Sequence, residues 1–199
     1  VRFVAEGLDI SSLLQRRPAP ADQARQLRQL AAGEEKEPLR TFAVVSGKGG
    51  VGKTNLAVNL GLAFCEKGQR VVLLDADLGL ANVDILFGLL TPPANLAQVI
   101  GGENSLEDVL VQLHEGFWLI PGGAGVQELA DLDGARQSRL IEEFAILDER
   151  ADVLLIDTAA GLHGSVLTFA LAADSVILVT TPEPTAIRDA YGVLKTLAR

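Results

Sequence analysis

Cysteine occurs once, as Cys65, in a chain of 199 residues. A lone thiol excludes a disulfide within the chain and any metal or iron–sulfur site built from the cysteines of one chain. It lies in a stretch that reads as apolar helix, so a buried structural thiol is expected. Aromatic residues are only 5% of the chain, which implies an aliphatic, sheet-rich interior. Basic residues are also short, 17 against 26 acidic ones, for a net charge of −9. Such a balance argues against coating nucleic acid by bulk electrostatics and leaves only a local basic patch open. No signal peptide is recognisable and no apolar run reaches transmembrane length, so a cytoplasmic protein is expected. The two histidines, His114 and His163, have no metal-ligand spacing and are expected to be structural or exposed, and Trp118 is expected in the core.

What is present is aliphatic and ordered in a repeating pattern. Hydrophobic residues make up 48%, enough for one domain with a core and a short appendage. Residues 1–40 form the appendage. RRPAPADQARQLRQLAAGEEKEP is rich in Pro, Ala, Gln and charge, with a short helical pattern from Asp22 to Ala32. Asp22 can cap that helix, Gln23, Leu27 and Leu30 share one face, and Gly33 with the charged GEEKEP ends it as a linker.

Residues 41–199 form the domain. TFAVVSG reads as a strand, TNLAVNLGLAFCEKG as a helix closed by Gly68, and RVVLLDAD as a second strand. A looser region follows, with turn signals at TPPAN and GGENS and short helical pieces. FWLIPGG reads as a strand, ARQSRLIEEFAILDER as an amphipathic helix, DVLLIDT and SVILVTT as two more strands, and PTAIRDAYGVLKTLAR as a final helix. Short all-apolar strands alternating with helices predict an α/β fold, a doubly wound, mostly parallel sheet covered on both faces. The chain stops in or just after a helix where such a fold would return to a strand, so an incomplete C-terminus is expected.

Between the first strand and helix, Gly47-Lys48-Gly49-Gly50-Val51-Gly52-Lys53-Thr54 fits the G-x-x-x-x-G-K-[ST] P-loop, with Asn55 following. The glycines let backbone N–H groups turn inward around phosphate oxygens. Lys53 would reach the β- and γ-phosphates, the Thr54 hydroxyl would ligate Mg²⁺, and the helix start adds its positive end. A glycine-rich turn with incidental lysines is the plain alternative, and the strand–helix context speaks against it. Further parts of such a site belong at other strand ends. Asp75 and Asp77 end the second strand two residues apart, with carboxylates expected on one side. Asp157 ends DVLLIDT, where a Walker B carboxylate would hold Mg²⁺ directly or through water. Thr158-Ala159-Ala160-Gly161 follows as a small-residue loop able to approach a γ-phosphate.

Lys48 is a second lysine that ordinary P-loops lack. KGGVGKT resembles the deviant Walker A motif of the MinD/ParA ATPases, and the likeness runs in order over residues 41–199. The resemblance implies a Mg²⁺-dependent ATPase that cycles between ATP and ADP and forms an ATP-dependent homodimer. In that dimer Lys48 would stabilise charge on the partner's phosphates. It also implies that DADLGLAN is a switch in which Asp77 positions or activates the attacking water, with Asp75 and Asn82 in support. DTAAG would be a second switch, with Asp157 on the Mg²⁺ side and Gly161 beside the γ-phosphate. The strand that carries the family's adenine-contacting asparagine is absent, as is the C-terminal amphipathic helix that docks many members on membranes. Membrane contact is expected only through that helix, at the inner face of the cell membrane in the ATP-bound state.

Within this family, cluster-carrying members need ligating cysteines, and the related tyrosine kinases a tyrosine cluster where this chain has only Tyr191. DADLGLANVDILFGL is closer to MinD and to the flagellar number regulators of the FlhG/FleN type than to partition ATPases. PGGAGVQELADL, Pro121 to Leu132, and the N-terminal DQARQLR resemble the flagellar group. There the latter helix binds and stimulates FlhF, a signal-recognition-type flagellar GTPase. The resemblance assigns Gln23 to orienting water in the partner's site, Asp22 to placing that glutamine, and Leu27 and Arg28 to anchoring the helix, with Ala24 in the same partner-activating set. Flagellar switch or transcriptional partners are implied, and nucleic acid is not. A MinD-like division-site regulator and a ParA-like partition ATPase remain the alternatives, and a solvated amphipathic segment is the plain alternative for the helix.

Overall fold

The computed structural model describes residues 37–77, 83–89, 92, 94–123 and 134–198. The helix expected over 22–32, Asn82, and residues 124–132 of the PGGAGVQELADL segment lie outside the described residues. The fold below is that of the unit Leu39–Leu197.

Six strands form one sheet: β1 (Arg40–Ser46), β2 (Val71–Ala76), β3 (Val111–His114), β4 (Phe117–Ile120), β5 (Val153–Ala160) and β6 (Ser175–Leu178), in the order β3-β4-β2-β5-β1-β6. All neighbours pair in parallel except β3 and β4, an antiparallel hairpin at one edge. The hairpin was not expected from sequence. Its strands have four residues each, and its turn is Glu115-Gly116, with Gly116 at φ 75°. The helices are α1 (Lys53–Cys65), α2 (Val83–Leu86), α3 (Leu96–Gly101), α4 (Leu106–Val109), α5 (Gly134–Ala145), α6 (Leu147–Arg150), α7 (Gly164–Ala172) and α8 (Pro184–Leu197). The single helix expected over 135–150 is two, parted at Ile146. Leu147, beyond that break, is fully buried, and re-aiming the chain puts it into the core.

Every residue of β2 is buried, as a central parallel strand requires. The pleat divides the sheet residues between two layers. Val44, Val71, Leu73, Val153 and Leu155 pack against Ala57 and Val58 of α1. Val72, Leu74, Leu154 and Ile156 pack on the opposite side with α3, α4, α6 and Phe169 of α7. Near the β6 edge, Ala43 and Val45 meet Val166 and Ala170 of α7 and Val193 of α8. On the α1 side Gly61 is tightly faced, since a Cβ there would stand 2.5 Å from the Phe117 ring. Cys65 proves half-buried at the end of α1. Its thiol donates to the Gly116 carbonyl at 3.3 Å, and burial pushes its pKa up.

This topology places the functional loops. From β1 the chain passes through α1 to β2 on one side, whereas from β5 it passes through α7 to β6 on the other. The carboxyl ends of the neighbours β1 and β5 are therefore a topological switch point, where open α/β sheets hold their ligands.

Candidate functional site

The loop leaving β1 is held from both sides. Ser46 is fully buried, and its hydroxyl donates to the Lys48 carbonyl at 2.9 Å. Gly47 lies against α8, where a Cβ would fall 2.4 Å from the Asp189 carbonyl carbon. Only glycine fits that contact. Gly50 and Gly52 have φ of 75° and 92°, the left-handed region that other residues avoid. Gly52 then starts α1, and its carbonyl accepts the Leu56 N–H at 2.9 Å. No side chain caps this 13-residue helix and no acidic residue stands in its first turn. Its leading N–H groups are thus open to an anion. Nothing comes within 4 Å of a Cβ placed at Gly50 or Gly52, so the cradle opens to space.

The loop's two lysines differ. Lys53 is 7% exposed and lies near Asp157. Lys48 is exposed and turns away to Glu183, donating from Nζ to Oε2 at 2.8 Å. That hydrogen bond raises the Lys48 pKa and lowers that of Glu183, and Asp189 adds a further attraction for Lys48. Val51 and Thr54 are half-buried and Asn55 is exposed, with the Asn55 carbonyl accepting from the Asn59 amide.

Of the aspartates expected at strand ends, Asp75 and Asp157 are direct register partners across β2 and β5, and both are buried. β5 runs on to Ala160, so Asp157 lies within it and Thr158 to Ala160 are strand rather than loop. Asp75 accepts the N–H of Asp77 at 3.2 Å and of Val83 at 3.4 Å, which ties together the two sides of residues 78–82. Asp157 is different. Both of its carboxylate oxygens are buried with no hydrogen-bond donor in bonding geometry. Burial raises its pKa, the Thr54 hydroxyl and the Lys53 charge oppose the rise, and Asp77 adds to it. Asp77 itself is half-buried just past the strand.

β5 and β1 also meet beyond Asp157. Their register slips between Val44 and Ser46, and there the buried Thr158 hydroxyl donates to the Val44 carbonyl at 2.9 Å. Gly161, at φ 95°, donates its N–H to the Ser46 carbonyl at 2.9 Å. The loop after β5 is thereby fastened to the base of the glycine loop.

Ser46 and Glu183 were given no role from sequence, and Thr158 was named only as part of a small-residue loop. The TTPEP turn after an apolar strand was the available signal for Glu183, since that turn falls at the same end of the sheet as the glycine loop.

Among the described residues no three His, Cys, Asp or Glu side chains could hold a metal by themselves. A hard divalent cation beside Asp157 would draw its other ligands from the Thr54 hydroxyl, water and ligand oxygens. An orphaned buried carboxylate, a buried lysine and an uncapped helix start fit a Mg²⁺–polyphosphate group. His114 and His163 are exposed, and Trp118 packs partly buried against the core. No described helix is long and apolar enough to cross a membrane.

Comparison with known proteins agrees with this geometry. The AAA domain pattern matches residues 39–199. The chain is 49% identical over 162 residues to the antiactivator FleN of Pseudomonas aeruginosa, covering 81% of this chain and 58% of that protein. It is 38% identical over 163 residues to the flagellum site-determining protein YlxH of Helicobacter pylori, covering 81% and 55%. Among solved structures it resembles the septum site-determining protein MinD complexed with Mg-ADP from Pyrococcus horikoshii OT3. There the TM-score is 0.65 and the identity 32%, over 80% of this chain and 65% of that one. The chain thus spans little more than half the length of the curated relatives it matches.

Proposed function

The chain belongs to the AAA domain family as a P-loop protein of the MinD/ParA type, and from that premise we propose that it is an ATP-driven switch regulating the number or placement of flagella. The observation that carries the reading is Asp157, a buried carboxylate without a donor, facing Thr54 and Lys53 at the switch point. ATP would lie with its phosphates against the N–H groups of Gly49, Gly50, Gly52 and Lys53. Lys53 would neutralise phosphate charge. Thr54 and Asp157 would hold Mg²⁺, which supplies charge neutralisation between the phosphates.

Asp77 would orient the attacking water, with Asp75 holding the ends of its loop. Gly161, fastened to Ser46, would present its small loop to the γ-phosphate. Lys48 would act across a dimer of two ATP-loaded copies, so that turnover waits on association. The flagellar assignment is supported by the likeness to the antiactivator FleN and the flagellum site-determining protein YlxH. In this reading Asp22, Gln23, Ala24, Leu27 and Arg28 form a helix that stimulates an FlhF-type GTPase. Attachment to the inner face of the cell membrane would accompany the ATP-bound state.

The ATPase half is tested by sedimentation with a non-hydrolysable ATP analogue and Mg²⁺. A dimer forms with the parent chain and is lost in Lys48→Ala. A Lys48→Ala chain that dimerises and turns over normally sinks the role of that lysine. The flagellar half is tested by adding a peptide of residues 1–40 to an FlhF-type GTPase. Faster GTP turnover that disappears with Gln23→Ala supports it. No stimulation of a GTP-bound FlhF dimer favours a MinD-like division-site regulator instead, the second reading that the likeness to MinD structures supports.

A further inference from the structure

Lys48 and Glu183 are 135 residues apart, yet both ends of their ion pair stand on fixed ground. On one side, the backbone of Gly47 is pressed against Asp189 and Ala190 of α8, and the Lys48 carbonyl is tied to Ser46. On the other, Glu183 directly precedes Pro184, the first residue of α8, and its carbonyl accepts the Ile187 N–H at 3.0 Å. Proline in the first helical position presets the turn. The lysine and the carboxylate are therefore held opposite each other by two close-packed segments. They are not two floating surface chains that happen to meet.

We propose that Glu183 is a positioning residue for Lys48, holding its ammonium on its own chain until the phosphates of a second copy's nucleotide replace the carboxylate. This rests on the reading of Lys48 as a lysine that acts across the dimer. Two features suit an exchange of this kind. Both side chains are exposed, 43% and 61%, so water screens the pair and leaving it is cheap. The replacement is a polyphosphate of higher charge in a site that association closes to water, where the same ammonium gains more than it gives up. The carboxylate thereby sets a threshold: a lone monomer keeps its lysine occupied, and only a nucleotide-loaded partner outbids the carboxylate. By linkage, whatever Glu183 contributes to the resting monomer is subtracted from dimer formation.

The test uses the full chain. Glu183→Gln removes the charge and keeps the shape, and Glu183→Asp keeps the charge on a shorter stem. Dimerisation is followed by sedimentation against protein concentration, with Mg²⁺ and a non-hydrolysable ATP analogue. Affinity for Mg·ADP is measured at concentrations where the chain is monomeric. Glu183→Gln is expected to lower the concentration for half-dimerisation about two- to fivefold, the size of an exposed pair. Monomer ADP affinity should stay unchanged, and Glu183→Asp should fall between parent and Gln variant. The gain should shrink in high salt, a dependence that a general structural role would not produce.

An unchanged or weaker dimer in Glu183→Gln overturns the proposal, and so does a gain that high salt leaves intact. If Lys48→Ala abolishes the dimer while Glu183→Gln changes nothing, the latch is wrong and the trans-acting lysine stands. If Lys48→Ala dimerises like the parent, both fall.

Discussion

Along β5 the same side chain occurs in opposite circumstances, once just before the strand and once inside it. Asp152, just before the strand, is clasped by Arg70. Its Oδ2 accepts the Arg70 backbone N–H at 2.8 Å and Nε at 3.3 Å, and its Oδ1 accepts the guanidinium at 2.8 Å. Asp157, five residues on, has both oxygens buried without a hydrogen bond of normal geometry, and its company is the Thr54 hydroxyl and the Lys53 charge. A paired aspartate at the strand's start fastens β5 to the beginning of β2. A carboxylate buried without a hydrogen bond of normal geometry costs stability, and with Thr54 and Lys53 beside it Asp157 is a candidate ligand for a cation. Identical chemistry at two positions separates a structural role from a functional one by its partners alone.

The comparison breaks most visibly through Asp157→Asn. ATP turnover should fall at least about 100-fold, the scale on which a charge-stabilising group is lost. The thermal midpoint should hold or rise, because a buried charge has been removed. A variant that melts well below the parent would show Asp157 to be structural after all. Next in size, Mg·ADP at about one hundred times its dissociation constant should stabilise the chain by about 2.7 kcal/mol. That gain should shrink when Mg²⁺ is chelated or Asp157 is replaced, as differential scanning calorimetry would register.

Asp152→Ala should do the reverse of Asp157→Asn. It should lose about 1–2 kcal/mol in urea unfolding, from hydrogen bonds to a partly exposed charge, and leave nucleotide affinity alone. A change in affinity there would blur the distinction between the two aspartates. Smallest of all, Lys48→Ala should leave both the melting curve and the monomer's ADP affinity unchanged within error, in contrast to its effect on assembly.

How far the sequence reveals this depends on the scale of the cue. Five of the six strands are legible because parallel strands buried on both faces read as unbroken aliphatic runs, VVLL and VLLI among them. The edge strand Val111–His114 escapes because it is short and buries only alternate residues. α7 escapes too. GSVLTFALA is apolar nearly throughout, and a helix without a polar face shows no period against its neighbours. The phosphate loop is legible in full, since glycine spacing encodes backbone shape directly. Asp77 is legible as the residue past a strand, whereas Asp157, expected at a strand end, lies inside β5, which runs on to Ala160. Its lack of a normal hydrogen bond is not legible, because partners come from other strands. The Lys48–Glu183 pair is hidden for the same reason. Its two members meet only after β6 has crossed to the far side of β1.

β5 is hydrogen-bonded along both edges, to β2 from Val153 to Thr158 and to β1 from Val153 to Asp157. A strand enclosed in this way exchanges its amide hydrogens for deuterium only when the whole sheet opens, so its protection should report the free energy of global unfolding. The backbone that carries Asp157 therefore opens only when the whole sheet does. Ligands can come and go on far faster clocks, and each arrival finds that carboxylate where the previous one left it.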